Sequence, residues 1–485
     1  MDASTLKLEN LKSLMPAEFT PGQIAEAQTI FLKKLSELSH RHYGGKIQTV
    51  PKAPVPGFNW FNVWYTPGVS SVSTGIRDNN DLSFELSNRG NLVAVISDST
   101  RVLGDGDVTP SGGLGVMEGK AYLMKYLGGV DGVALCVDSK GKDGKNDPDK
   151  IIEFVKMVQH SFGAVNLEDI SQPNCFKVLD VLREECDIPV WHDDAQGTAS
   201  VTLAGVINAL KLAGKKMSDA RFVLFGAGAS NTTIARLLIT DGANPANIII
   251  FDSKGSLNKT RKDIESDTRF YRKWELCCST NPQCTSTMEE AMNGADVLIS
   301  LSTPGPETIK QDWIRRMALK SIVFVCANPV PEIYPYAAKE AGAFIVATGR
   351  GDFPNQVNNS IGFPGILKGA LMVRARKITD NMAIAAAHSL AGYAEKRGID
   401  PENIVPTMDE ADVFPFEAAD VAMQAIKDGV ARKPLSHEEA YQWAKKDIEY
   451  SRNLVKSMSD GGFLPDPPAA VIEQALEFAI NKVKK

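Results

Sequence analysis

The sequence predicts an α/β protein: an N-terminal α/β unit, a second doubly wound α/β unit and a helical C-terminal region. Three observations predict it. Short β-branched runs alternate with helical stretches from residue 92 to 347, a glycine turn joins a strand to a helix at 222–232, and the pattern becomes mainly helical from 378 onward. A length of 485 residues allows about two to four domains. The expected divisions are 1–50, an N-terminal helical segment; 51–212, a first α/β unit; 213–377, a second; and 378–485, a helical region packing back on the core.

Residues 1–50 read as helical, with Ile24, Phe31, Leu32, Leu35 and Leu38 at spacings suited to one face and a stop near Gly44-Gly45. Pro51, Pro54, Pro56 and Gly57 form a connector. Strands are expected at 92–96, 130–137, 164–167 and 188–191, and a helix at 198–212 ending at Gly214. The second unit continues with a strand at 222–225, a helix at 232–240 and strands at 248–252, 297–301, 322–326 and 344–347. Residues 254–282, rich in charge and cysteine, read as an excursion at the sheet edge, and 436–456 as one charged amphipathic helix.

With 53 Lys+Arg against 59 Asp+Glu, the formal charge of -6 gives no general attraction to nucleic acid or anionic lipid. No apolar run approaches the roughly 18 residues of a membrane span, and the first residues are too polar for a secretory signal. A soluble, cytoplasmic chain is expected, and its seven cysteines, an odd number, fit reduced thiols.

Chemistry is carried by three motifs. Strand 222–225 runs into Gly226-Ala227-Gly228-Ala229-Ser230-Asn231, where Gly226 permits the turn and Gly228 lets backbone approach a pyrophosphate at a helix N-terminus. Asn231 replaces the usual third glycine, leaving Ser230 or Asn231 to cap the helix. Asp252, closing the next strand, suits ribose hydroxyls, so a Rossmann-type dinucleotide site is expected at Gly226, Gly228, Ala229, Ser230 and Asp252. Ser253, Lys254 and Lys259 suit a 2′-phosphate equally, leaving NADP and NAD both open.

The second motif is acidic: Glu168-Asp169 and Asp193-Asp194 each follow a strand. Strand-end acids commonly cap helices, but two such pairs offer hard oxygen ligands for Mg²⁺ or Mn²⁺. The third is a glycine-dense segment, 97–120, in which Arg101 suits a substrate carboxylate and Lys120 is a candidate base if burial and neighbouring cations depress its pKa.

Tyr65-Thr66-Pro67-Gly68-Val69, Arg101 to Asp107, Glu118-Gly119-Lys120-Ala121, Glu168-Asp169-Ile170, His192 to Ala199, Gly226 to Ala229, Ala327-Asn328-Pro329 and Gln356 to Asn359 occur in the order seen in malic enzymes. The chain resembles that family's smaller microbial branch over roughly 51–432. The resemblance implies oxidative decarboxylation of L-malate to pyruvate and CO₂, with NADP or NAD and Mg²⁺ or Mn²⁺. It implies a metal held by Glu168, Asp169 and Asp194, with Asp193 supporting their geometry, and catalysis by Lys120 as base and Tyr65 as the acid that protonates C3 of enolpyruvate. Arg101, Asn328 and Asn359 would bind substrate, Asn328 also the carboxamide, in a homodimer or homotetramer. The alternative activity is a metal-dependent oxaloacetate decarboxylase without net cofactor turnover.

Overall fold

A computed structural model describes residues 8–102 and 104–484; the expectations for 1–7 and for Leu103 lie outside them. Two compact units result. One draws its described residues from Met1–Val50 and Arg452–Lys485, the other is Pro51–Ser451. The helical stretch expected from 378 therefore divides, its last part joining the first fifty residues.

The larger unit holds two sheets. β1 (Leu92–Ser97), β2 (Asp131–Cys136), β3 (Ala164–Leu167) and β4 (Val190–His192) form a parallel sheet of order β2-β1-β3-β4. Its central strands are continuous apolar runs such as Val93-Ala94-Val95-Ile96, all buried, as cover on both faces requires. The second sheet contains β5 (Phe222–Phe225), β6 (Ile248–Asp252), β7 (Gly255–Ser256), β8 (Val297–Ser300), β9 (Ile322–Val325) and β10 (Ile345–Thr348). Its order is β10-β9-β8-β5-β6-β7, parallel except for β7. Order reverses between β8 and β5, which opens a crevice at their C-terminal ends. Strand positions agree with expectation to within two residues, apart from β7, a two-residue antiparallel edge that opens the 254–282 excursion.

The labelled helices are α1 (Pro21–Tyr43), α2 (Leu114–Gly128), α3 (Thr198–Ala213), α4 (Ala229–Thr240), α5 (Phe363–Met372), α6 (Asp380–Arg397), α7 (Val413–Lys427), α8 (His437–Asp460) and α9 (Ala469–Val483). α3 and α5 are almost wholly buried, so their sequences are apolar all round rather than amphipathic. One cluster joins Val93, Leu224, Phe324, Leu367 and Phe414, linking both sheets to α5 and α7. Phe414 is fully buried, and its truncation to Ala would cost about 3–5 kcal/mol.

In the smaller unit, Phe31 and Ala27 of α1 pack on Ala475, Leu476 and Ala479 of α9. Thr20 and Gln23 form a capping box, and Gly44, at φ 71°, stops α1 where expected. α8 begins on Ser436, whose hydroxyl accepts from Glu439 N–H, and ends before Gly461 and Gly462. All seven cysteines are free. Among the described residues no helix is long and apolar enough to cross a membrane.

Candidate functional site

β3 and β4 are parallel neighbours, so the two acidic pairs that follow them emerge at one end of the sheet. Glu168, Asp169 and Asp194 each bring an oxygen within 4.8 Å of the others. Asp169 lies in the left-handed region at φ 53°, which Asp tolerates, and its N–H donates to Asp194 Oδ2 at 2.7 Å. Asn166 Nδ2 holds Glu168 Oε2 at 2.9 Å. Residues Asp193–Gly197 form a wide π-turn before α3, a feature common at functional sites. Only glycine fits its end, since a Cβ on Gly197 would stand 1.9 Å from Asp193 Oδ1.

Burial drives Glu168 well above the usual carboxylate range, with Asp194, Asp193 and Asp169 adding to it against the pull of Lys120. Burial also raises Asp193. His192, 3.8 Å from Asp194, is pushed below the usual imidazole range by burial, consistent with a neutral ring. Four crowded carboxylates facing one ammonium suit a hard divalent cation, and Glu168, Asp169 and Asp194 are the oxygens placed to hold it.

Asp193 stands apart from those three oxygens. Its Oδ1 accepts from Trp191 Nε1 at 3.2 Å and its Oδ2 is bonded to Lys120 Nζ. Lys120 also lies 3.1 Å from Glu168 Oε1 and 4.7 Å above the ring of Phe363. Burial acts to lower the Lys120 pKa, but Asp193, Glu168 and Asp194 outweigh it and hold the ammonium above the usual lysine range. The depression that a base requires is therefore not supplied by burial alone, because the surrounding carboxylates outweigh it.

The glycine turn takes the expected shape. Gly226 sits at φ 95°, where a Cβ would meet Leu301 O at 2.3 Å, while the Cβ position of Gly228 faces open space. Ala229 opens α4, three residues earlier than expected, and the N-cap is Gly228 without a side-chain bond. Neither candidate capping residue caps the helix. Asn231 Nδ2 instead donates back to Phe225 O and Gly226 O at 3.1 and 2.7 Å, fixing the turn. Ser230 Oγ donates to Asp194 O at 2.8 Å, tying this helix to the carboxylate cluster. Asp252 ends β6 and is gripped by both Nη atoms of Arg261 at 3.0 and 2.9 Å. Arg261 also binds Asp263, whose carboxyl it holds well below the usual range.

The remaining candidates fall around these two centres. Arg101 N–H donates to Asp169 O at 3.0 Å, so its backbone is fixed beside the cluster while its side chain is exposed. Asn359 borders the Asp193 turn, its Cβ 3.4 Å from where a Gly197 Cβ would be. Asn328 follows β9, pressed between Gly104 and Gly349, where Cβ atoms would each come within 2.9 Å of it. Tyr65 is 72% exposed after a short helix, and no hydrogen bond joins its hydroxyl to the cluster among the described residues. Sequence reasoning missed Trp191, Phe363 and Arg261. Trp191 directly precedes His192-Asp193 and was legible as their neighbour; Arg261 was hidden in a charge-rich segment without periodicity, and Phe363 gave no signal.

The pattern described as "Malic enzyme, N-terminal domain" matches residues 45–183, and "Malic enzyme, NAD binding domain" matches 195–427. The crystal structure of Entamoeba histolytica malic enzyme is similar at 64% identity and a TM-score of 0.97, covering 100% of this chain and 99% of that one. The NAD-dependent malic enzyme of Geobacillus stearothermophilus is 41% identical over 81% of this chain and 79% of its own. The NADP-dependent malic enzyme of Halomonas elongata is 38% identical over 76% and 87%. With its two matched domains, its acidic strand ends and its glycine turn, the chain belongs to the malic enzyme family, the NAD(P)-dependent malate dehydrogenases that decarboxylate.

Proposed function

We propose that the chain catalyses divalent-metal-dependent oxidative decarboxylation of L-malate to pyruvate and CO₂, reducing NADP⁺ in preference to NAD⁺. The observation that carries this reading is Lys120, buried between Asp193 and Glu168 beside the three-oxygen cluster. Glu168, Asp169 and Asp194 would hold Mg²⁺ or Mn²⁺, which would supply Lewis acidity to the bound substrate.

Lys120 would take the proton of the C2 hydroxyl, and a bound nicotinamide would supply the hydride acceptor. Positive charge in the cluster would offset the carboxylate field that keeps Lys120 protonated, which favours its neutral form. Arg101, Asn328 and Asn359 orient carboxylate and carboxamide groups, and Tyr65 returns a proton to C3 after CO₂ departs. The turn through Gly226, Gly228, Ala229 and Ser230 takes the pyrophosphate. At Asp252, the clamp by Arg261 offsets the charge that would repel a 2′-phosphate, and Lys254 lies close by, 3.4 Å from Asp263; both support NADP⁺.

A cytoplasmic homodimer or homotetramer completes the reading. Phe58, Phe61, Trp64 and Tyr65 are exposed together, an apolar aromatic face of the kind that marks association. Following nicotinamide absorbance with malate, Mn²⁺ and each cofactor tests the activity; no reduction in any combination would refute it.

A further inference from the structure

The loop that follows β8 is held by a buried acid outside the carboxylate cluster. Glu332 lies beyond the end of β9 and is fully buried. Its Oε1 accepts from Ser300 Oγ at 2.8 Å, from Ser302 N–H at 2.8 Å and from Ser302 Oγ at 3.2 Å; its Oε2 accepts from Ala327 N–H at 3.1 Å. Its own carbonyl accepts from Ile309 N–H at 3.0 Å. One residue therefore grips residues 302–309 at both ends and ties them to the end of β9.

These segments border the dinucleotide turn. Leu301, between the two serines, donates its N–H to Phe225 O at 3.0 Å, and a Cβ on Gly226 would collide with its carbonyl. Ser300 closes β8 and Ala327 precedes Asn328, so Glu332 joins two strand ends beside the point where strand order reverses. Within the loop Thr303, Pro304, Pro306 and Glu307 are exposed, and Thr308 bonds back to Thr303 O at 3.2 Å and Gly305 O at 3.1 Å.

We propose that Glu332 is a positioning residue for the dinucleotide: its carboxylate holds the loop after β8 and the end of β9 in their binding shape before the cofactor arrives. Desolvating an anion is costly, and apolar packing would fill a core at less cost. Glu332 is answered by hydrogen bonds rather than by a cation among the described residues, and two of its donors are loop backbone N–H groups. Burial raises its pKa, while the bonds from Ser302, Ser300 and Ala327 pull it down.

The chemistry of the side chain matters because one oxygen faces Ser302 N–H and the other faces Ala327 N–H. A carboxylate accepts from both; a glutamine would offer one oxygen and turn its NH₂ toward the second N–H. That orphaned donor would release one strand end. A crevice that spends less time in its binding shape binds more weakly in proportion, with the chemistry of the bound state unaffected. The role rests on the reading of the Gly226 turn given above.

Fluorescence titration of the full chain with NADPH and with NADH, beside steady-state kinetics, tests the role. Glu332→Gln should weaken the tighter-binding dinucleotide, and raise the KM of its oxidised form, about tenfold, while kcat and Mn²⁺ affinity stay within about twofold. Ser302→Ala, at a half-buried side chain, provides a variant whose folding is not in question and should weaken binding about threefold. The two changes together should cost less than the product of their separate effects, because both act through one carboxylate. A fall in kcat at unchanged dinucleotide affinity, the mark of a partly unfolded population, overturns the role, as does unchanged affinity in Ser302→Ala or a full product in the double variant. Gly228→Val, whose Cβ meets open space, is the control for the turn. Weakened binding there with Glu332→Gln within about twofold of the parent overturns Glu332 alone, whereas unchanged binding in Gly228→Val refutes the reading of the turn.

Discussion

Lys120 and Asp193 meet across 73 positions of sequence, in an ion pair that leaves the Asp193 side chain wholly buried and Lys120 11% exposed. If Lys120 is the base, Lys120→Ala should lower kcat by about 10²–10⁴-fold while dinucleotide affinity stays nearly unchanged. Steady-state kinetics with a parallel NADPH fluorescence titration checks this. A kcat within about tenfold of the parent would remove Lys120 from that role.

Asp194→Ala should abolish metal-dependent turnover and weaken Mn²⁺ binding, because it takes one of three clustered oxygens and the acceptor of the Asp169 N–H. Paramagnetic titration reads the affinity directly. Unchanged Mn²⁺ binding would exclude Asp194 from the ligand set.

Arg261→Ala should raise the KM for NADP⁺ by about tenfold or more while affecting NAD⁺ little, since it frees the Asp252 carboxylate to repel a 2′-phosphate. Paired kinetics with the two cofactors decides. An equal loss with both would make Arg261 a purely structural clamp.

Glu417 of α7 is fully buried, and neither carboxyl oxygen has a hydrogen-bond partner. Burial, with Asp420 adding to it, holds its pKa well above the usual range. A carboxyl whose folded pKa is raised favours the folded state fully below its unfolded pKa, near 4.3, and that contribution is lost as pH rises toward the folded value. Glu417→Gln should therefore raise Tm by a margin that grows from pH 5 to pH 8. A constant or shrinking margin in thermal melts would show that Glu417 ionises freely.

Much of this arrangement was legible in the sequence, for identifiable reasons. β1 and β5 announce themselves because strands covered on both faces must be apolar throughout, as Val93 to Ile96 and Phe222 to Leu224 are. Glu168 and Asp194 could be paired because parallel neighbouring strands bring their C-terminal ends together. What stayed hidden depends on contacts without a period. Ile24 and Phe31 marked a face of α1 to be covered, but nothing in their spacing named α9 as the cover. The start of α4 moved because Asn231 could satisfy the turn's carbonyls from inside the helix, a bond that residue type alone does not specify. The raised pKa of Lys120 required knowing that Asp193 turns toward it and not toward the other acids.

The bond from Ser230 Oγ to Asp194 O joins the first turn of the dinucleotide helix to a backbone carbonyl of the acidic cluster. Two ligands whose sites share such a strut are thermodynamically linked: whatever firms one end changes the free energy of filling the other, by the same factor in both directions. Ser230→Ala would cut that strut while leaving every proposed ligand oxygen in place. Any coupling between Mn²⁺ and dinucleotide binding, equal in the two directions, should then shrink, so part of the link between the two sites would rest on one hydroxyl.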